Sequence, residues 1–267
     1  MQAFINGINL AYEECGEGLP LLLIHGFPLS GRIWEPQMEG LKGDFRLIAP
    51  DLRGFGNSDA PEGPYSMDIF ADDMVGLLDH LGIERAVVCG MSMGGYVLLN
   101  MLARHPHRVG GACFMVTRGG DDDAAGRERR LKLAREVLDK GAQVVSSAFA
   151  SVLFSSQAGA GERELIAEVC RIMEQARPSG LAGALVAMAG RADYSDRLAG
   201  FNLPSLVIGA EFDQAIPPGE SRLMAESLPD ARLAIVPDAG HMAGMENPEF
   251  VNRELHRFLA EISASFF

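Results

Sequence analysis

Apolar and polar residues first alternate and then fall into blocks. Phe4-Ile5-Asn6-Gly7-Ile8-Asn9-Leu10-Ala11-Tyr12 alternates about an Asn-Gly pair, which predicts a hairpin with a type I′ turn. Short, mostly apolar runs follow at 19–24, 45–49, 86–89, 111–116, 205–209 and 233–236. Each is too short for a helix and reads as a strand covered on both faces. Between them apolar residues recur at helical spacing. A short helix is expected over 34–41, and Ser66 caps another bearing Phe70, Met74, Leu77, Leu78 and Leu81. A third carries Val97, Leu98, Met101 and Leu102 and ends at His105-Pro106, because proline cannot continue it. Asn247-Pro248 starts the last, with Val251, Leu255, Phe258, Leu259 and Ile262 on one face.

From about residue 117 to 195 strand signals vanish. Three amphipathic stretches replace them: Leu131, Ala134, Val137 and Leu138; Leu165, Val169, Ile172 and Met173; Leu181, Leu185 and Met188. The expected organisation is an α/β core formed by 1–116 and 196–267, interrupted by a helical cap over 117–195. Strands alternating with helices require a mostly parallel, doubly wound sheet. Ligands of such sheets bind at the carboxyl ends of the strands.

The 267 residues are 48% hydrophobic, enough for a large core, and no stretch is long and apolar enough to span a bilayer. Gln2, Asn6 and Asn9 interrupt any apolar leader, so a cytoplasmic protein is expected. A net charge of −13 argues against nucleic acid and anionic membrane as partners. Cys15, Cys89, Cys113 and Cys170 form no C-x-x-C pair and read as reduced structural thiols. No metal-ligand spacing is present, and no dinucleotide fingerprint follows the first apolar strand, so neither metal nor cofactor is expected. Asp121-Asp122-Asp123 reads as a solvated loop.

Chemistry concentrates where strands end. Gly90-x-Ser92-x-Gly94 lies between a strand and a helix. Random order would yield roughly 0.2 such pentapeptides, so its placement carries the reading. A serine on so sharp a turn is strained and exposed, and Gly90 and Gly94 let strand and helix approach closely. Serine is a weak nucleophile that needs a base, itself oriented by a carboxylate. His241 follows the last strand and Asp213 the one before, giving the order Ser, Asp, His. His80, His105, His107 and His256 sit in or beside helices and suit the role less well. Glu211, Asp238 and, further off, Asp121 remain alternatives to Asp213. The oxyanion of an attacked carbonyl requires two N–H donors. Met93, after the nucleophile, supplies one, and Phe27, in His25-Gly26-Phe27-Pro28, the other. Gly26 lets that backbone bend close, and His25 braces the loop. Arg118 is placed to meet either a substrate carboxylate or the neighbouring aspartates. Phe149, Leu153, Phe154, Met173 and Met188 are either acyl-pocket lining or plain core.

Together with Asp51-Leu52-Arg53-Gly54-Phe55-Gly56-Asn57-Ser58 and Gly209-Ala210-Glu211-Phe212-Asp213, these motifs resemble the α/β-hydrolase superfamily. Within it the chain is similar to small bacterial carboxylesterases, 3-oxoadipate enol-lactonases and cofactor-free haloperoxidases, over about 2–116 and 203–262. The resemblance implies an α/β-hydrolase fold of about eight strands and a soluble serine hydrolase. Its expected substrate is a small-molecule ester, with lactone hydrolysis, perhydrolysis and, more remotely, non-catalytic ligand binding as alternatives. Dehalogenases and epoxide hydrolases of the superfamily carry aspartate at the elbow, so Ser92 argues against both. The 53–58 stretch implies a loop support and no catalytic role.

Overall fold

The computed structural model describes residues 1–150, 152–154 and 163–266. The Asn6-Gly7 turn, with φ of 47° and 81°, joins β1 (Gln2–Ile5) to β2 (Ile8–Cys15). The apolar runs become β3 (Pro20–Ile24), β4 (Arg46–Pro50), β5 (Ala86–Met91), β6 (Val109–Met115), β7 (Ser205–Ala210) and β8 (Ala231–Val236). They form one eight-stranded sheet in the order β1-β2-β4-β3-β5-β6-β7-β8. β1/β2 and β2/β4 pair antiparallel, and every later pair is parallel. This is the α/β-hydrolase fold, with the strand order reversing across β3 and β5, where ligand sites form in such sheets.

Burial on both faces explains why β3, β5, β6 and β7 read as mostly apolar runs. Leu22, Ile24, Val88 and Phe114 face one core layer; Leu21, Leu23, Val87 and Met115 face the other. Each full burial of such a side chain contributes about 1.5–3 kcal/mol. The expected helix over 34–41 splits into a 3₁₀ turn (Gly31–Trp34) and α1 (Glu35–Leu41), with Pro36 in the first turn, where its missing N–H is harmless. α2 (Met67–His80) begins at Ser66, whose hydroxyl accepts from the Ile69 N–H. α3 (Met93–Arg104) follows β5 directly.

Between β6 and β7 lie α4 (Ala124–Lys140), α5 (Gln143–Phe149), α6 (Arg163–Gln175) and α7 (Pro178–Ala189). Val137, Val145 and Leu185 join one core layer, and Leu153, Val169 and Met173 the other, so this segment shares both layers with the sheet. α8 (Pro218–Ser227), α9 (Ala243–Glu246) and α10 (Pro248–Phe266) complete the chain. The Asn247 side chain caps α10 by accepting from the Phe250 N–H. Among the described residues no helix is long and apolar enough to cross a membrane.

The aspartate run departs from the expected solvated loop. Asp123 caps α4 through the Gly126 N–H and Asp121 pairs with Arg127, while Asp122 is buried among Arg118, Arg130 and Arg191. Of its two alternatives, Arg118 meets the aspartates. Burial pushes the Asp122 pKa up, but hydrogen bonds from Arg191 and Arg130 outweigh it and hold the carboxyl well below the usual range.

Candidate active site

Ser92 stands at the junction of β5 and α3 with φ 51° and ψ −113°, a backbone that L-residues adopt only when the surroundings force it. The forcing is visible in two glycines. A Cβ on Gly90 would lie 2.3 Å from the Gly94 carbonyl oxygen, and one on Gly94 2.2 Å from that of Ile24. Strand, turn and helix therefore pack backbone against backbone. A Cβ on Gly26 would lie 3.1 Å from the Ser92 Cβ, so a side chain there would crowd the hydroxyl. Ser92 is half-buried, whereas its neighbours along the chain are buried.

Asp213 and His241 meet after β7 and β8: Asp213 Oδ2 lies 2.7 Å from His241 Nδ1, with both residues buried. Asp213 Oδ1 accepts from the Ala215 and Ile216 N–H groups at 2.8 and 2.9 Å. The carboxylate is thus fixed on one oxygen and offers the other to the imidazole. This arrangement leaves Nε2 as the ring nitrogen free for chemistry. The alternatives lie elsewhere: Glu211 accepts from the Asp238 N–H, and Asp121 pairs with Arg127. Three contacts hold the His241 loop. Glu246 accepts from the Gly240 N–H, Gln37 donates to the Gly244 carbonyl, and the Met242 N–H donates to the Leu153 carbonyl.

Phe27 follows β3 and Met93 opens α3, both at the same sheet edge as Ser92. Met93 is the first residue of its helix, so its N–H has no intrahelical acceptor. Among the described residues the Phe27 N–H has no acceptor either. His25 accepts from the Leu52 N–H at Nε2 and donates from Nδ1 to the Gly26 carbonyl, tying the ends of β3 and β4 together. Burial lowers its pKa, and the Gly26 carbonyl and Asp51 only partly oppose that. A neutral ring suits a residue that both accepts and donates.

The 51–58 stretch forms a support below the site. Asp51 accepts from the Gly31 and Asn57 N–H groups, Ser58 donates to the Asp51 carbonyl, and Arg53 makes a bidentate pair with buried Asp73. Of the lid candidates, Leu153, Phe154, Met173 and Met188 are buried core. Phe149 is half-buried, with its ring 5.5 Å from that of Phe27, and lines a cavity of about 210 Å³ with Arg129, Arg130 and Leu185.

One neighbour of the elbow escaped the sequence reading. Thr117, just after β6, donates its hydroxyl to the Ser92 carbonyl at 2.8 Å. Gly95 makes room for it, since a Cβ there would lie 2.4 Å from Thr117 Oγ1. The second glycine of Gly94-Gly95, one more than the turn pattern needs, was the available signal.

The chain matches the family model for the alpha/beta hydrolase fold over residues 20–248. An esterase from Thermogutta terrifontis, solved with malate bound, is 35% identical over 98% of both chains with a TM-score of 0.96. The enol-lactonase from Burkholderia xenovorans LB400 is 28% identical over 97% of this chain and all of its own, with a TM-score of 0.90. A non-heme chloroperoxidase of Kitasatospora aureofaciens is 27% identical over 95% of this chain and 97% of its own. The chain belongs to the α/β-hydrolase family.

Proposed function

We propose that this family member is a serine hydrolase that cleaves a carboxylic ester of a small molecule. The observation that carries the reading is the strained Ser92 turn, at the same sheet edge as a hydrogen-bonded Asp213–His241 pair. Ser92 attacks the acyl carbon as His241 Nε2 takes its proton. Asp213 holds the imidazole tautomer and stabilises the imidazolium. The Phe27 and Met93 N–H groups receive the oxyanion, in a site where fixed donors need no reorganisation. His241 then protonates the leaving alcohol, and water activated by the same base releases the acid. The segment 117–195 serves as the cap over this site, and its Phe149 contributes to the acyl pocket.

A second reading, hydrolysis of a ring ester, uses the same steps and is favoured by the likeness to an enol-lactonase. Perhydrolysis would instead require peroxide to intercept the acyl-enzyme. The experiment is hydrolysis of p-nitrophenyl acetate and butyrate, an enol-lactone, and halide oxidation with peroxide and carboxylic acid, in wild type and Ser92→Ala. Ser92→Ala should lower turnover on the order of 10⁵- to 10⁶-fold. Near-normal turnover by that variant would end the proposal.

A further inference from the structure

β5 and β6 both end in strain. Ser92 has φ 51° and Val116 φ 43°, and for a β-branched residue that value is a steric outlier. Two contacts join these ends: the Ser92 N–H donates to the Met115 carbonyl at 2.9 Å, and Thr117 Oγ1 to the Ser92 carbonyl at 2.8 Å. The Val116 N–H meanwhile donates to the Ile208 carbonyl at 2.7 Å, so the turn at Val116 is held from β7. The turn carries the Thr117 side chain over the start of α3, where it is 1% exposed and packs into the space left by Gly95.

The Ser92 carbonyl also accepts from the Gly95 N–H at 2.9 Å, so it has two donors. That carbonyl and the Met93 N–H belong to one planar peptide unit and point in opposite directions. Donors on the oxygen fix the plane and draw electron density toward it, which makes the N–H at the other end a stronger donor. The Gly95 bond belongs to the start of the helix. The Thr117 bond is supplied from outside the helix, by the turn after β6.

We propose that Thr117 is a positioning residue for the oxyanion donor: through the Ser92 carbonyl, its hydroxyl aims and strengthens the Met93 N–H. The proposal rests on the serine-hydrolase reading above and adds a residue that touches neither substrate nor base. Strain here is part of the device, since a relaxed Val116 would carry Thr117 away from the elbow.

The test compares Thr117→Val, which keeps the shape and removes the hydroxyl, with Thr117→Ser, which keeps the hydroxyl. The readouts are kcat and KM for p-nitrophenyl acetate, inhibition by a boronic acid that mimics the tetrahedral adduct, and Tm. Thr117→Val should lower kcat on the order of 10-fold, a fraction of the 10²–10³ lost with an entire oxyanion donor. KM should change little, boronic acid affinity should fall in step with kcat, and Thr117→Ser should restore both. A purely structural role would lower Tm and leave the ratio of boronic acid affinity to KM unmoved. If Thr117→Val does not fold, Thr117→Ala against Thr117→Ser decides in the same way, because they differ only by the hydroxyl. The inference is overturned if kcat in the hydroxyl-free variant stays within about twofold of wild type, or if Thr117→Ser is as impaired as that variant. Wild-type protein that neither hydrolyses the ester nor takes up a fluorophosphonate at Ser92 would instead sink the hydrolase reading itself, and this inference with it.

Discussion

At the scale of single residues, Gly94 and Asp213 show how differently two necessary positions act. A methyl on Gly94 meets the Ile24 carbonyl oxygen at 2.2 Å, and backbone in a sheet centre cannot retreat. Gly94→Ala should therefore destabilise the protein on the order of 3 kcal/mol, read as a lower urea midpoint. Asp213→Asn retains the shape and can still accept from the Ala215 and Ile216 N–H groups. It no longer offers the carboxylate that selects the His241 tautomer. Near-native stability with ester turnover about 10⁴-fold lower is the expected result, the size of loss that the equivalent change causes in a serine protease triad. A variant that lost stability and activity together would mean that the carboxylate mainly holds the fold.

At the scale of elements, legibility followed what a local pattern can encode. Strands buried on both faces announce themselves as apolar runs, and Ser66 and Asn247 announce helix starts, so all of these were readable. The end of β6 was not: Val116 is as apolar as the strand before it, yet its φ of 43° turns it out of the strand. Asp122 was misjudged because its partners Arg130, on α4, and Arg191, just past α7, are 8 and 69 residues away, and nothing in the local pattern shows that they meet it. The catalytic candidates were legible because each follows a strand of a parallel sheet, and parallel sheets gather strand ends at one edge. Thr117 obeys the same rule, but a hydroxyl bonding a carbonyl leaves no pattern of its own, and only the spare Gly95 hinted at it. The Asp122 cluster yields its own prediction. Asp122→Asn leaves three guanidiniums facing one another around a buried amide, which should cost about 3–5 kcal/mol. A fall in Tm of only a degree or two would show that solvent already screens the cluster.

Across the whole molecule, two buried groups contribute to how stability responds to acid. Burial lowers the pKa of His25, so below about pH 6.5 the unfolded chain takes up a proton that the folded chain refuses. Stability from this residue is complete above that pH and declines as pH falls. Asp122 acts with the same sign further down. Its arginine partners hold the folded pKa below the unfolded value near 3.9, so its contribution is complete above that value and is lost as pH falls beneath it. These two groups should thus weaken the protein in acid in two stages, the first through the His25 imidazole and the second through the Asp122 carboxylate. Urea unfolding at pH 7.5, 5.5 and 3.5 separates them. His25→Asn should be less stable than wild type at pH 7.5, since the bridge from the Leu52 N–H to the Gly26 carbonyl is impaired, but should lose less between 7.5 and 5.5. Asp122→Asn should follow wild type over that first interval and lose less between 5.5 and 3.5. If His25→Asn kept the wild-type slope over the first interval, the early loss would belong to other histidines. The brace between β3 and β4 would then have no part in the acid response.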